Sequence, residues 1–261
     1  MTHPGGTAEH GQTAYARRLD WGLTGARALV ADARPGDVAV VVDVLSFTTT
    51  LTLAVERRMD VYPYPWSSAD APAYAAERKA VLARGRREGL ASGAVSLSPA
   101  SFADVDGIER VVLPSPNGSA ISFALAGAGV AVVGASLRNA TAVGRWLTGV
   151  EGRVSVVAAG ERWPDGSLRP AAEDLWGAGA VLSALGPAGG SPEAHLAVAA
   201  YDAVRGDLEA ALLACASGRE LMSAGFGRDV ELAGAWDATD VVPVLRGEAF
   251  ADASSGTGQD P

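Results

Sequence analysis

The stretch that most constrains the fold is VAVVVDVLSFTTT, residues 38–50. An uninterrupted β-branched run as short as residues 38–42 favours a strand that is covered on both faces of a sheet. Asp43 closes this run, and hydroxyl side chains from Ser46 onward precede an apolar segment, which is typical of a helix start. At such a strand end, helix N–H groups and the helix dipole favour an anion. A buried strand followed by an ordinary helix cap would give the same pattern.

Comparable junctions recur further along the chain. Predicted strands are each followed by a polar turn and then by a predicted helix, with the strands at 110–113, 130–133 and 153–159 and the helices at 120–126, 140–147 and 173–185. Alternating strands and helices predict an α/β fold, namely a mainly parallel sheet with helices on both faces, an α/β/α sandwich. The C-terminal part, from residue 191 onward, is predicted to be largely helical.

The ends of the chain lack hydrophobic periodicity. Residues 1–13 are predicted to be a disordered leader and residues 251–261 a disordered tail, which leaves residues 14–250 as a single α/β domain. Within that domain, residues 89–106 are rich in Gly, Ser and Pro and are predicted to form a long surface segment.

Charge and composition exclude several classes of protein. The formal net charge of −9 argues against binding to a nucleic-acid backbone. A single cysteine, Cys215, excludes a disulfide framework, and no apolar stretch reaches the roughly 18 residues that a membrane helix needs. The first residues lack the apolar segment of a signal peptide. A cytoplasmic protein without a nucleic-acid or membrane partner is expected, and assembly into a homo-oligomer is left open.

Several common chemistries fail on sequence grounds. The chain has no GxxxxGK[ST] motif and no dinucleotide-type glycine spacing, and its Cys and His residues have no metal-ligand spacing. Cys215 is interpreted as a packing residue. Oxygen chemistry remains, carried by three carboxylates and by neutral side chains at the junctions, namely Asp43, Glu173, Asp174, Ser115, Asn117, Ser119 and Asn139. Such ligands suit Mg²⁺ and a phosphate or sulfonate, although Glu173 and Asp174 could simply complement the dipole of their helix.

Five segments, in order, resemble the motifs of the 2-phosphosulfolactate phosphatase family: VVVDVLSFTTT, SPNGS at 115–119, ASLRNA at 135–140, AAG at 158–160 and AEDLWGAGA at 172–180. SGREL at 217–221 and VVPVL at 241–245 resemble the closing segment of that family. The resemblance implies an α/β sandwich and a Mg²⁺-dependent phosphatase. The implied reaction is hydrolysis of 2-phospho-3-sulfolactate to 3-sulfolactate and phosphate in coenzyme M biosynthesis.

The resemblance also implies which residues form the site. The matching positions are Asp43, Thr48, Thr49, Thr50, Ser115, Asn117, Gly118, Asn139, Glu173 and Asp174. Our hypothesis is that Asp43 with one or both of Glu173 and Asp174 holds Mg²⁺ or positions its water. Asn117, Gly118 and Ser119 would direct donors to the phosphate from a helix start. Whether Asp43 instead attacks phosphorus is left open, because Leu45 stands where haloacid-dehalogenase phosphatases carry a second aspartate.

The chain departs from the family at one informative position. Where the first family motif usually reads DVLRATTT, this chain has Ser46-Phe47 in place of Arg-Ala. An arginine can pair with a phosphate or sulfonate through two hydrogen bonds, and a serine cannot. Either another arginine substitutes, with Arg138, Arg162 and the run 84–87 as candidates, or the substrate differs. The missing arginine also leaves an alternative from another class, a non-catalytic protein that binds a small anion.

Overall fold

Strands and helices alternate along the chain in a computed structural model that describes residues 9–66 and 68–256. The strands of the described part are β1 Arg17–Trp21, β2 Val38–Val42, β3 Asp60–Pro65, β4 Val81–Leu82, β5 Arg110–Ser115, β6 Ala131–Ala135, β7 Val154–Ala158, β8 Glu161–Arg162, β9 Leu168–Arg169, β10 Pro243–Arg246 and β11 Ala249–Asp252. The α-helices are α1 Gly22–Val30, α2 Phe47–Glu56, α3 Ala71–Glu77, α4 Arg86–Ser92, α5 Ala100–Ala103, α6 Gly118–Leu125, α7 Ala140–Leu147, α8 Ala172–Leu185, α9 Pro192–Asp202, α10 Leu208–Ala214, α11 Ala216–Ser223 and α12 Gly227–Gly234.

Nine of these strands form one sheet, in the order β1-β7-β2-β6-β10-β11-β3-β5-β4. Strands β1, β7, β2 and β6 are parallel to one another, and so are β3, β5 and β4. The antiparallel hairpin β10–β11 joins the two groups. The prediction of a mainly parallel sheet is therefore confirmed, and the antiparallel hairpin is the part that the sequence pattern did not specify.

Helices cover both faces of the sheet, as predicted. On one face, α7, α8 and α9 pack over β1, β2 and β7 around a core that contains Val40 and Val156. On the other face, α2 and α6 lie between the two parallel groups, because α6 contacts both β2 and β3, and α2 contacts both β6 and β3. The sheet thus curves around α2 and α6. This curvature brings the start of α6, which follows β5, next to the end of β2.

Parts of the chain that were predicted to lack structure are ordered where they are described. In the predicted leader, Gln12 is buried and exchanges two hydrogen bonds with the backbone of Leu19, so residues 9–13 pack against β1. At the start of the predicted tail, residues 251 and 252 complete β11, because the hairpin satisfies the backbone groups of this strand against β10 and β3. Residues 1–8 and 257–261 lie outside the described residues.

The segment 89–106 was predicted to lie on the surface, and this prediction is wrong for its middle part, residues 95–99, whereas residues 90–93 are exposed. Val95, Leu97 and Phe102 are buried in the core that contains α2. The Leu97 carbonyl accepts a hydrogen bond from the Thr50 hydroxyl, at 2.9 Å. Apolar side chains spaced irregularly among Gly, Ser and Pro carry no periodicity, so their burial depends on contacts with distant elements.

No helix in residues 9–66 and 68–256 is long and apolar enough to cross a membrane.

Helices α8 and α9 approach closely at Gly179, which gives a test of the packing. A Cβ atom at Gly179 would lie 2.0 Å from the Ala197 carbonyl oxygen, a backbone atom that cannot move aside cheaply. We expect Gly179→Ala to lower the free energy of unfolding by about 1–3 kcal/mol, measured by urea denaturation. Gly127→Ala is the matched control, because a Cβ there meets no atom within 4 Å. Equal stability of the two variants would contradict this packing.

Candidate active site

The loop after β2 fixes Asp43 at the centre of the site. The Thr48 hydroxyl accepts a hydrogen bond from the Asp43 backbone N–H and donates one to the Asp43 carbonyl, which closes the turn into α2. The Asp43 carboxylate accepts from the N–H of Phe47 at 3.1 Å and from the N–H of Gly118 at 2.7 Å. Asp43 therefore lies between the first residues of two helices, α2 and α6, and only 5% of it is exposed.

Two further acids stand in the first turn of α8. Asp174 accepts hydrogen bonds from the N–H groups of Val44, at 2.7 Å, and Gly160, at 2.8 Å, so it ties the loop after β2 to the loop after β7. Glu173 and Asp174 are both buried. The structure thus brings together the three carboxylates that the sequence singled out.

A fourth acid, Glu161, was missed in the sequence. It follows β7 directly after Gly160, and its carboxylate accepts a hydrogen bond of 2.9 Å from the Asn117 side-chain amide. Its position in the sequence could have indicated a site residue, because Glu161 is the first acid after a strand end, as Asp43 is. Glu161 lies in the short antiparallel hairpin β8–β9.

Burial and mutual repulsion disturb the titration of these acids. Burial raises the pKa of Asp43 to about 6, against hydrogen bonds from Gly118 and Phe47 and the positive charge of Arg86. Burial and the charges of Asp43 and Glu173 raise the pKa of Glu161 to about 7 and that of Asp174 well above its usual range. Three buried acids with a half-buried fourth beside them are typical of a functional site, because a stable core avoids unpaired charge.

Several residues predicted to bind substrate are hydrogen-bonded to the chain itself, and their contact with a substrate stays a prediction. The hydroxyls of Thr48, Thr49 and Thr50 donate to the carbonyls of Asp43, Val44 and Leu97, and all three side chains are fully buried. These hydrogen bonds shape the loop between β2 and α2. The physical reason is that a buried hydroxyl must find a partner, and the turn supplies one.

The same holds for three residues at the other junctions. The Asn139 side chain accepts from the Ser136 N–H and donates to the Val241 carbonyl, so it caps a helix start away from the acids. The Ser115 hydroxyl accepts from the N–H groups of Asn117 and Ser119, and the Ser119 hydroxyl bonds to the backbone near Tyr64. Of the predicted neutral side chains, Asn117 is the one that hydrogen-bonds to a carboxylate of the site.

Arg86 is a second residue near the site that was not among the predicted site residues. The sequence offered it only as one member of the run 84–87, a candidate to replace the missing arginine. Its guanidinium donates to the Ser46 hydroxyl through Nη2 and to the Asp229 carboxylate through Nε, the latter at 3.2 Å. The other named candidates bond elsewhere. Arg138 pairs with Glu56, Arg162 bonds to the Pro116 carbonyl, and Arg84 pairs with Glu88.

Two cavities reach residues of the site. One, of about 310 Å³, is lined in part by Asn117, Glu161 and Arg162. The other, of about 350 Å³, is lined in part by Arg86 and Asp229 and by none of the four acids. Each cavity is of a size that suits a small ligand.

The cysteine and the acids near the site differ in the chemistry that they can support. Burial and the charge of Glu173 raise the pKa of Cys215 to about 12, so it stays a thiol at neutral pH and does not provide a nucleophile. Within residues 9–66 and 68–256, no three His, Cys, Asp or Glu side chains are arranged to hold a metal ion by themselves. A cation at these acids would need ligands from outside the protein.

The fold and the site define a class: an α/β protein with a buried acidic cluster where the end of a central strand meets two helix starts. The family model described as 2-phosphosulpholactate phosphatase matches residues 26–248, and the chain belongs to that family. It is a family of phosphoric monoester hydrolases, as the sequence motifs predicted. Comparison with curated proteins gave no match. The matched range includes Asp43, Glu161, Glu173, Asp174 and Arg86.

Proposed function

We propose that this protein is a Mg²⁺-dependent phosphatase that hydrolyses 2-phospho-3-sulfolactate, or a related small phosphorylated hydroxy acid, to the hydroxy acid and phosphate. The observation that carries the proposal is the gathering of the buried acids Asp43, Glu173 and Asp174 with the half-buried Glu161 in a chain of this family. A small acid is the proposed partner. Neither a nucleic acid nor a membrane is proposed.

Glu161 is suited to move a proton in this reaction. It faces a cavity of about 310 Å³, and the Asn117 amide holds its carboxylate in place. With a pKa of about 7, the carboxyl can give or take a proton near neutral pH. In phosphate-ester hydrolysis, this group would activate the attacking water or protonate the departing oxygen.

The carboxylates are of the ligand type that Mg²⁺ prefers, but they do not form a complete coordination shell for the ion. Mg²⁺ commonly binds through one or two carboxylates together with phosphate oxygens and water, so the lack of a three-residue group is compatible with it. Asp43, with Glu173 or Asp174, would hold the ion. When bound, Mg²⁺ supplies positive charge that neutralises the phosphoryl group.

The Asp43 carboxylate has a defined orientation whichever role it takes. Its two oxygens accept from the N–H groups of Phe47 and Gly118, so the side chain cannot rotate freely. A Cβ atom at Gly118 would lie 2.7 Å from the Asp43 carboxylate, so a glycine is needed for this approach. Preorganised orientation of a reacting carboxylate is a main source of catalytic rate.

The test is phosphate release from a panel of small phosphorylated acids: 2-phospho-3-sulfolactate, 2-phospholactate and isopropyl phosphate. We expect release from 2-phospho-3-sulfolactate in the presence of Mg²⁺ and loss of release when EDTA replaces the metal. Release that EDTA leaves unchanged would contradict the metal requirement. No release from any member would favour the alternative of a small-anion binding protein.

A further inference from the structure

Ser46 stands where the first loop of the family usually carries an arginine, and the structure places a guanidinium at that position from another segment. Arg86, at the start of α4, donates from Nη2 to the Ser46 hydroxyl across a separation of 40 residues. Ser46 directly precedes α2, whose first residue, Phe47, donates its N–H to Asp43. The Arg86 guanidinium therefore lies beside the helix start that flanks the central acid.

A buried carboxylate, that of Asp229, accepts a hydrogen bond from Arg86 Nε and fixes the guanidinium. Asp229 is 1% exposed and accepts from Arg86 Nε at 3.2 Å. The same carboxylate accepts from the Ser98 hydroxyl and from the Ala100 N–H, so Asp229 is itself fixed. An arginine anchored through one edge can present its remaining N–H groups to an anion in a defined plane.

The two flanks of Asp43 differ in the groups that they offer to an anion. One Asp43 oxygen accepts from Gly118, next to Asn117 and the acid Glu161. Arg162 lines the cavity on this flank as well, but its charge is opposed by Glu161 and its guanidinium donates to the carbonyls of Pro116 and Gly166. The other oxygen accepts from Phe47, next to Ser46 and Arg86. A substrate with its phosphate at the acids would place its second acid group most favourably on the Arg86 flank.

We propose that Arg86 determines substrate specificity by binding the acid group that is not transferred, a sulfonate or a carboxylate, in place of the arginine that the family carries in its first loop. The inference rests on the proposed phosphatase function. Asp229 is a positioning residue that acts through Arg86. A change at either residue should therefore act on the selection of substrates that carry a second acid group.

The test compares kcat/KM for 2-phospho-3-sulfolactate, 2-phospholactate and isopropyl phosphate, the last of which has no second acid group. Arg86→Ala is expected to lower the ratio of kcat/KM between 2-phospho-3-sulfolactate and isopropyl phosphate about 100-fold, mainly through KM. If Arg86→Ala also lowers the ratio of kcat/KM between 2-phospho-3-sulfolactate and 2-phospholactate, Arg86 binds the sulfonate, which only the first of these carries. If Arg86→Ala leaves this second ratio unchanged, Arg86 binds the carboxylate, which both carry. An equal loss on all three substrates would overturn the proposal.

Two further variants separate specificity from folding. The double variant Ser46→Arg/Arg86→Ser returns the guanidinium to the family position and is expected to restore at least part of the lost ratio. Arg87→Ala, an exposed neighbour in the same run, is the matched control and should leave the ratio unchanged. Asp229→Asn should raise KM for 2-phospho-3-sulfolactate with a smaller change in kcat.

Binding of the product tests Arg86 without turnover. Calorimetric titration with 3-sulfolactate is expected to give an affinity at least tenfold weaker for Arg86→Ala than for the unmodified protein. If the unmodified protein releases no phosphate but shows this difference, the phosphatase function fails and the assignment of Arg86 stands. Equal affinities of the two proteins would overturn the assignment of Arg86, whatever the activity.

Discussion

Asp43→Asn is expected to lower kcat/KM for phosphate release by about 10³-fold or more, since it removes the carboxylate at the centre of the site. Both hypotheses for Asp43 give this result, because an amide is neither a phosphoryl nucleophile nor a good Mg²⁺ ligand. Asparagine has the size of aspartate, and one of its atoms can still accept from Phe47 or Gly118. The loss is measured as initial rates of phosphate release with Mg²⁺ at saturating and subsaturating substrate.

The size of the loss bears on the role of Asp43. Removal of a nucleophile abolishes turnover almost completely, by about 10⁶-fold in a well-studied case, whereas a charge-stabilising group costs less. Asp104→Asn is the matched control, because Asp104 is exposed and lies on a different loop. Circular dichroism and thermal unfolding establish that both variants are folded. Activity within threefold of the unmodified protein in folded Asp43→Asn would contradict both roles.

Glu161→Gln is expected to stabilise the protein at pH 8 while it impairs turnover. The folded-state pKa of Glu161 is raised to about 7 by burial and by the charges of Asp43 and Glu173. The folded protein therefore binds more protons than the unfolded chain between about pH 4.5 and 7, so the free energy of unfolding falls as pH rises through this window. A neutral glutamine avoids that loss and can still accept from the Asn117 amide. The gain at pH 8 is expected to be about 1–3 kcal/mol.

This gain has a distinctive pH dependence. It should be largest above pH 7 and vanish near pH 4.5, where Glu161 is protonated in the folded protein. Thermal or urea unfolding of both proteins in EDTA, at pH 5 and pH 8, measures it without a contribution from bound metal. Glu151→Gln, at an exposed position, is the control and should show no such difference. A gain of equal size at both pH values, or no gain at pH 8, would contradict the prediction.

Local sequence patterns predicted most of the architecture. The β-branched run of β2, the hydroxyl side chains around the start of α2 and the acids that open α8 are properties of short segments, so each could be recognised without its neighbours. Strand β11 of the hairpin β10–β11 was not predicted, since Ala249–Asp252 has no strong sequence pattern and becomes a strand only by pairing with β10 and β3. The same limit explains the burial of residues 89–106.

The sequence by itself determined where acids would stand: Asp43 at a strand end, and Glu173 and Asp174 at a helix start. Only the tertiary structure decided which polar side chains face a cavity and which bond to the chain. Thr50 and Asn139 turned inward because their buried polar atoms needed partners. Glu161 and Arg86 joined the site through residues far along the chain, Asn117 for the first and Ser46 and Asp229 for the second. Such meetings depend on how the curved sheet brings its two parallel groups together, and a local pattern does not encode that curvature.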